Sequence, residues 1–154
     1  MAKFKIQVDT EVIKKKIEAT EQQIKQGVEQ GLRVCASEIK QTVQLAIEQT
    51  TGNGSYTPTG QLKRSVTILP LEWSPYGASI TVVPMASYAQ YVEQGTGIYN
   101  PQGRQTPWCY SPDGGNTFFF TRGIPSHHFV SDTHEFYKDK APAIIKEQIY
   151  KCMK

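Results

Sequence analysis

At 154 residues the chain has the length of one ordinary domain, enough to bury a core without metals or cross-links. Hydrophobic residues make up 38% and charged residues 20%, both slightly under globular averages, and apolar stretches run only a few residues, which argues against a membrane span. The net charge of +3, with Lys14-Lys15-Lys16 the one basic run and acidic residues interleaved around it, is too small for a dedicated nucleic-acid binder, whose affinity rests on neutralising several phosphates at once.

The N-terminus, Met1-Ala-Lys-Phe-Lys-Ile, lacks the apolar core of a secretory signal, and Cys35, Cys109 and Cys152 are far apart with no Cys-x-x-Cys pair. A reduced, cytosolic setting is expected. A short strand is predicted over Lys3–Val8, after which Asp9 or Thr10 caps a long helix over 9–50. Its apolar residues recur every three or four positions: Ile13, Ile17, Ile24, Val28, Leu32, Cys35, Ile39, Val43 and Ala46. Unbroken, such a helix is about 60 Å long, more than a domain of this size covers, so part of it is expected to meet a neighbour. Gly27 and Gly31 predict a kink or a close helix contact in its middle.

Residues 51–61 form a flexible loop by composition. Leu62–Pro70 reads as a helix start passing into a strand, and Ala78–Pro84 as the strand returning across the Pro75-Tyr76-Gly77 turn. In Tyr88-Ala-Gln-Tyr-Val-Glu-Gln-Gly-Thr-Gly97, the residues Tyr88, Tyr91 and Val92 fall at i, i+3 and i+4, so a helical turn is predicted over 86–94, ended sharply by Gly95 and Gly97. Gly95-Thr96-Gly97 lacks the third glycine and following helix of a dinucleotide fingerprint, and no Gly-Lys-Ser/Thr follows it, so it is disfavoured as a phosphate cradle.

Trp108-Cys-Tyr110 faces Thr117-Phe-Phe-Phe120 in a hairpin predicted over 107–121, with Asp113-Gly114 supplying the positive φ angles of the reversal. Ile124–Phe129 is extended; Ser131 or Asp132 then caps a last helix over 131–152, kinked or restarted at Pro142. The expected fold is α+β in a single domain, 1–154. A long N-terminal helix and a C-terminal helix pack on a small, mostly antiparallel sheet within 62–125, from which an aromatic hairpin protrudes.

No chemistry has an anchor residue. Adjacent His127 and His128 point to opposite sides of an extended segment and do not chelate together with His134. No motif places a base beside Cys109, and nothing in the spacing brings Glu72 to Glu93. The cations Lys63, Arg64, Arg104 and Arg122 suffice to guide DNA transiently; their use by a small nucleic-acid-binding module is the alternative reading. More distinctive is the density of aromatics on turns and hairpins: Tyr56, Tyr76, Tyr88, Tyr91, Tyr99, Trp108, Tyr110 and Phe118-Phe119-Phe120, a composition typical of protein interfaces.

Two motifs in combination, Thr59-Gly-Gln-Leu-Lys-Arg-Ser65 and Tyr88–Gly97, followed by Pro107-Trp108, Gly123-Ile-Pro125 and Phe129, resemble the tailed-bacteriophage neck family of head-tail joining, tail completion and minor tail component proteins. The resemblance runs over nearly the whole chain. It implies a non-enzymatic virion protein of a phage or prophage, without cofactor or metal, assembled in the bacterial cytoplasm. Such a protein forms a ring at the head-tail junction through self-association and through contacts with head connector and tail terminator or tail tube proteins. It has no membrane contact and at most transient contact with passing DNA.

Carried over by position, the fold-and-interface residues implied are Thr59, Gly60, Leu62, Ser65, Tyr88, Tyr91, Val92, Glu93, Gly95, Thr96, Gly97, Pro107, Trp108, Pro125 and Phe129, none of them catalytic. The family often has a second proline just before the position of Phe129, where this chain has His127-His128. In a closed ring, opposite sides of a subunit must complement each other, and the long helix and the hairpin are the candidates. Tyr88 and Tyr91 are expected to pin the turn to the sheet, and Glu93 with the following loop to face a neighbouring subunit.

Overall fold

The computed structural model describes residues 10–50, 60–111 and 113–154. The strand expected over Lys3–Val8, the capping position Asp9 and the loop up to Thr59 lie outside them. The architecture is α+β: five α-helices and three two-stranded antiparallel ribbons among the described residues.

Helix α1 (Thr10–Thr50) continues through both of its glycines. Glu21–Lys25 (3.2 Å) and Glu29–Arg33 (2.8 Å) sit at i, i+4 with the acid first, the favourable order on a solvated helix face. Each glycine costs a helix up to about 1 kcal/mol relative to alanine. What that loss permits is close approach of α5 (Lys140–Cys152): a Cβ on Gly27 would stand 2.6 Å from the Cα of Ile149, and one on Gly31 2.8 Å from the Cα of Ile145. Of the two expectations for these glycines, the close helix contact is the one realised. The two helices run antiparallel, and Cys35 extends the seam, its thiol donating to the Ala141 carbonyl at 3.6 Å. Burial pushes that thiol's pKa up, and the nearby Glu38 carboxylate adds to the shift.

The apolar stripe of α1 divides in two. Its C-terminal half supplies Val43 and Ile47 to a core completed by Leu62 of α2 (Gln61–Ser65), Val66 of β1 (Val66–Ile68), Ala89 of α3 (Ala89–Gln94) and Phe129 of α4 (Phe129–Tyr137). Over residues 15–26 the helix is exposed on every side. α5 ends at Cys152, whose sulfur is 3.5 Å from Gln30 Oε1, and beyond the seam Ile24 and Ile17 are exposed.

The expected sheet is present as separate ribbons. β1 pairs with β4 (Val82–Pro84), Val66 opposite Pro84, and β2 (Glu72–Ser74) pairs with β3 (Gly77–Ser79), Ser74 opposite Gly77. These are two sections of one long hairpin. Pro70 has no N–H to give, and the ladder lapses around it after the Leu69 amide has bonded to the Thr81 carbonyl at 2.8 Å. β5 (Trp108–Tyr110) and β6 (Phe119–Thr121) make the third ribbon.

The final helical segment also differs from expectation. It begins at Phe129, ahead of Ser131 and Asp132, and is two helices, α4 and α5, broken at Lys138-Asp139. Pro142 lies in the first turn of α5, where a missing N–H leaves no helical bond unmade, so it restarts the helix rather than kinking it. The buried Tyr137 ties α4 to α1 through a hydrogen bond of 3.2 Å between its hydroxyl and that of Thr42.

Candidate functional site

Tyr88–Gly97 forms the predicted helical turn, but with a different face inward. Ala89 is buried, and Tyr88 and Val92 pack against the core cluster, whereas Tyr91 is 61% exposed. Successive helical residues are rotated by about 100°, so a core that takes Ala89 and Val92 turns Tyr91 outward. The expectation that Tyr91 pins the turn to the sheet is therefore corrected; Tyr88 alone of the two tyrosines packs there.

Past Gln94 the backbone enters conformations suited to glycine, with φ of 74° at Gly95 and 62° at Gly97. Both glycines also face backbone at close range. A Cβ on Gly97 would be 1.9 Å from the Arg122 carbonyl oxygen, and one on Gly123 2.0 Å from that of Thr96. Bonds lace the two segments together: the Thr96 amide to the Ile124 carbonyl (2.9 Å), the Ile98 amide to the Arg122 carbonyl (3.0 Å), and the Ile124 amide to Thr96 Oγ1 (3.0 Å). Asn100 closes the loop, its Nδ2 donating to the Gly95 carbonyl at 3.3 Å, while Gly103 crowds Gly97. Nothing in the local sequence marks the fit of Asn100 and Gly103 against Gly95 and Gly97.

Glu93 does not face outward. Its carboxylate accepts the amides of Val130 (2.8 Å) and Ser131 (2.9 Å) and the Ser131 hydroxyl (2.6 Å), satisfying donors in the first turn of α4 where a helix dipole favours an anion. The chain reaches that helix through His128 at φ 49°, the one non-glycine residue with positive φ among those described. The His128 amide donates to the Glu93 carbonyl at 3.2 Å and that of His127 to the Val92 carbonyl at 3.1 Å. A proline at 128, as in the resembling family pattern, would lose the first bond and could not adopt the angle.

The first motif meets the second in the core. Gly60, at φ 69°, opens α2; Leu62 is buried in the cluster shared with Ala89 and Phe129; Ser65 donates its hydroxyl to the Leu62 carbonyl (2.7 Å) and accepts the Met85 amide (3.0 Å). Pro125 is exposed on the strip that passes Gly95.

The hairpin stands apart. Its ladder pairs Tyr110 with Phe119, rings 5.8 Å apart, and Cys109 with Phe120, leaving Phe118 outside the ladder. Pro107 is exposed; Trp108 is half-buried, with the Arg104 guanidinium 6.0 Å from its ring. In the loop the positive φ angles fall on Gly114 and Gly115 rather than on Asp113-Gly114. Asp113 serves instead as an acceptor: its carboxylate takes the Ser111 hydroxyl (2.7 Å), the Asn116 amide (3.1 Å), and the Thr117 amide (2.9 Å) and hydroxyl (2.6 Å). These bonds, with the Thr117 hydroxyl foremost, hold its pKa far below the usual carboxylate range.

Lys63 pairs with Glu48 and Arg104 lies over Trp108. Among the described residues no three of His, Cys, Asp and Glu are grouped to hold a metal ion, and no helix is long and apolar enough to cross a membrane.

Residues 7–95 match the family model described as "Bacteriophage HK97-gp10, putative tail-component". The match takes in α1 through α3 and ends at Gly95, short of the Trp108 hairpin and the C-terminal helices. No curated protein and no solved structure matches the chain.

Proposed function

The chain belongs to the HK97-gp10-like family of phage tail components, and from that membership we propose that it is a structural virion protein of the head-tail junction. It forms part of a neck ring, or completes the tail so that tail and head join. It acts by binding and shape, without turning over a substrate. Its partners are copies of itself, head connector proteins and tail terminator or tail tube proteins, and the particle is assembled in the cytoplasm of the bacterial host.

Family membership carries this reading, and the exposed apolar surface supports it. Among the described residues, Tyr91, the aromatic hairpin and the first half of α1 all present large exposed side chains. Aromatic residues on protruding elements are the usual anchors of protein interfaces. A net charge of only +3 also suits a sleeve traversed by DNA, since a lumen that neutralised many phosphates would grip the genome.

The test is complementation of a phage lacking this gene with Tyr91→Ala and with Trp108→Ala, scored by electron microscopy. Unjoined heads and tails are expected. Because Tyr91 is exposed, its truncation leaves folding intact to within about 0.5 kcal/mol, so a joining defect would report on contact. Normal joining by both soluble variants would count against the proposal.

A further inference from the structure

On the premise that copies of this chain associate, we infer that the exposed arm of α1, residues 15–26, seats the aromatic hairpin of a second copy. The inference starts from where the α1–α5 seam stops. Its register advances four residues at a time, from Gly31 against Ile145 to Gly27 against Ile149. The next step falls on Gln23 and Met153, and there α5 has ended. The apolar stripe continues, increasingly exposed, through Ile24 (40% exposed) to Ile17 (61% exposed), with Met153 exposed at its near end. From Ile17 to Ile24 is about 10 Å along the axis, close to the length of a three-residue strand such as β5 or β6.

The hairpin offers a ribbon of that length. Cross-strand pairing puts Cys109 and Phe120 on one face and Tyr110 and Phe119 on the other. Phe120 is 83% exposed, the least covered phenylalanine of the hairpin.

Charge selects the hairpin over a second arm as occupant. In an antiparallel pair of arms with Ile17 on Ile24, Lys16 of each copy would face Lys25 of the other; in a parallel pair, Lys15 and Lys16 would face their own copies. The hairpin carries an anion, Asp113, at its tip and Arg122 at its base. Laid along the arm with its tip toward Lys15 and Lys16, it sets Asp113 near those lysines and the Cys109–Phe120 pair toward Ile24. One such contact leaves the first copy's hairpin and the second copy's arm unfilled, so association is head-to-tail and continues until it closes.

Cysteine cross-linking tests this directly. Ile24→Cys is made in a Cys152→Ser background, because Cys152 lies next to Gln30 and would compete within one chain. The native Cys109 is exposed on the Phe120 face. Mild oxidation of the full chain with copper phenanthroline should give a ladder of dimers, trimers and larger species on a non-reducing gel, and Cys109→Ser should abolish it. Cross-links that survive Cys109→Ser would mean that arms pair with arms and would overturn the inference, as would the absence of any link. Ile17→Asp, at an exposed position, should leave the melting temperature unchanged and shift the mass in solution toward monomer. If particles carrying Ile17→Asp joined heads to tails normally, the arm contact would fall while the junction role stood; if loss of the whole gene left joining intact, both would fall.

Discussion

Gly97 lies so close to Arg122 that any side chain on it would collide with the Arg122 carbonyl oxygen, which also accepts the Ile98 amide. The obstacle is backbone, so it cannot be relieved by a rotamer change. Gly97→Ala combines that collision with a φ of 62°, and the expected loss is about 2–4 kcal/mol. Gly123→Ala, facing the Thr96 carbonyl across the same junction, should cost a similar amount. Urea unfolding checks both, with Gly77→Ala as the control: its φ is also positive, but nothing lies within 4 Å of the added carbon. The control should lose less than either.

How far the corner could be read from sequence follows from the range of its contacts. The order Tyr88–Gly97 gave away a helical turn and its glycine stop, because both depend on neighbours within four residues. It did not give away the destination of Glu93, since the Glu93 to Ser131 bond spans 38 positions and no local pattern marks its far end. Large apolar residues at helical spacing usually mark an inner face, which is where the sequence places Tyr91; here the smaller Ala89 joins Phe129 and Leu62 in the core, and the tyrosine is displaced outward. In α1 the sequence signalled a close contact through Gly27 and Gly31 but could not say which element made it.

Removing the Glu93 carboxylate should loosen the start of α4. Glu93→Ala leaves the amides of Val130 and Ser131 without their acceptor, an N-terminal capping loss of about 1–2 kcal/mol. Glu93→Gln, which keeps an acceptor oxygen but not the charge, should cost less. Hydrogen exchange distinguishes this from general destabilisation: the Val130 and Ser131 amides should lose protection before those of the α1–α5 seam.

At Gly27 and Gly31 two effects oppose each other, and their magnitudes decide the sign. Alanine improves helix propensity by up to about 1 kcal/mol at each position. Against this, the added carbon would stand 2.6 Å or 2.8 Å from backbone of α5, which must move away as a unit, and such overpacking costs about 1–3 kcal/mol. Each substitution should therefore lower stability on thermal unfolding, and the double substitution should separate the two helices. A rise in melting temperature for either single variant would mean that α5 does not lie at this distance.

His128 tests the path into α4. Its left-handed conformation costs a non-glycine residue about 1 kcal/mol, which the greater unfolded-state freedom of glycine nearly offsets, so His128→Gly should change stability by less than about 0.5 kcal/mol. His128→Pro locks φ near the opposite sign and deletes the donor to the Glu93 carbonyl, and should cost about 3 kcal/mol or more. Chemical denaturation of the pair separates the requirement for that angle and that donor from any requirement for the imidazole.

The hairpin loop should respond to acid through Asp113. Its folded-state pKa is depressed by the hydrogen bonds from Thr117 and Ser111, so the carboxylate's contribution is fully present above the ordinary aspartate range and is lost as the pH falls through and below it. Protonation removes charge from an acceptor that takes the Asn116 and Thr117 amides as well as two hydroxyls, so the loop, and with it the Tyr110–Phe119 stack, should loosen on acidification. Exchange of the Thr117 amide, followed by NMR from neutral pH downward, should accelerate relative to the intrinsic rate in the wild-type chain. In Asp113→Asn the amide should be poorly protected already at neutral pH, with little further change on acidification. Equal protection at all pH values in both proteins would show that the glycine turn holds the loop without the carboxylate.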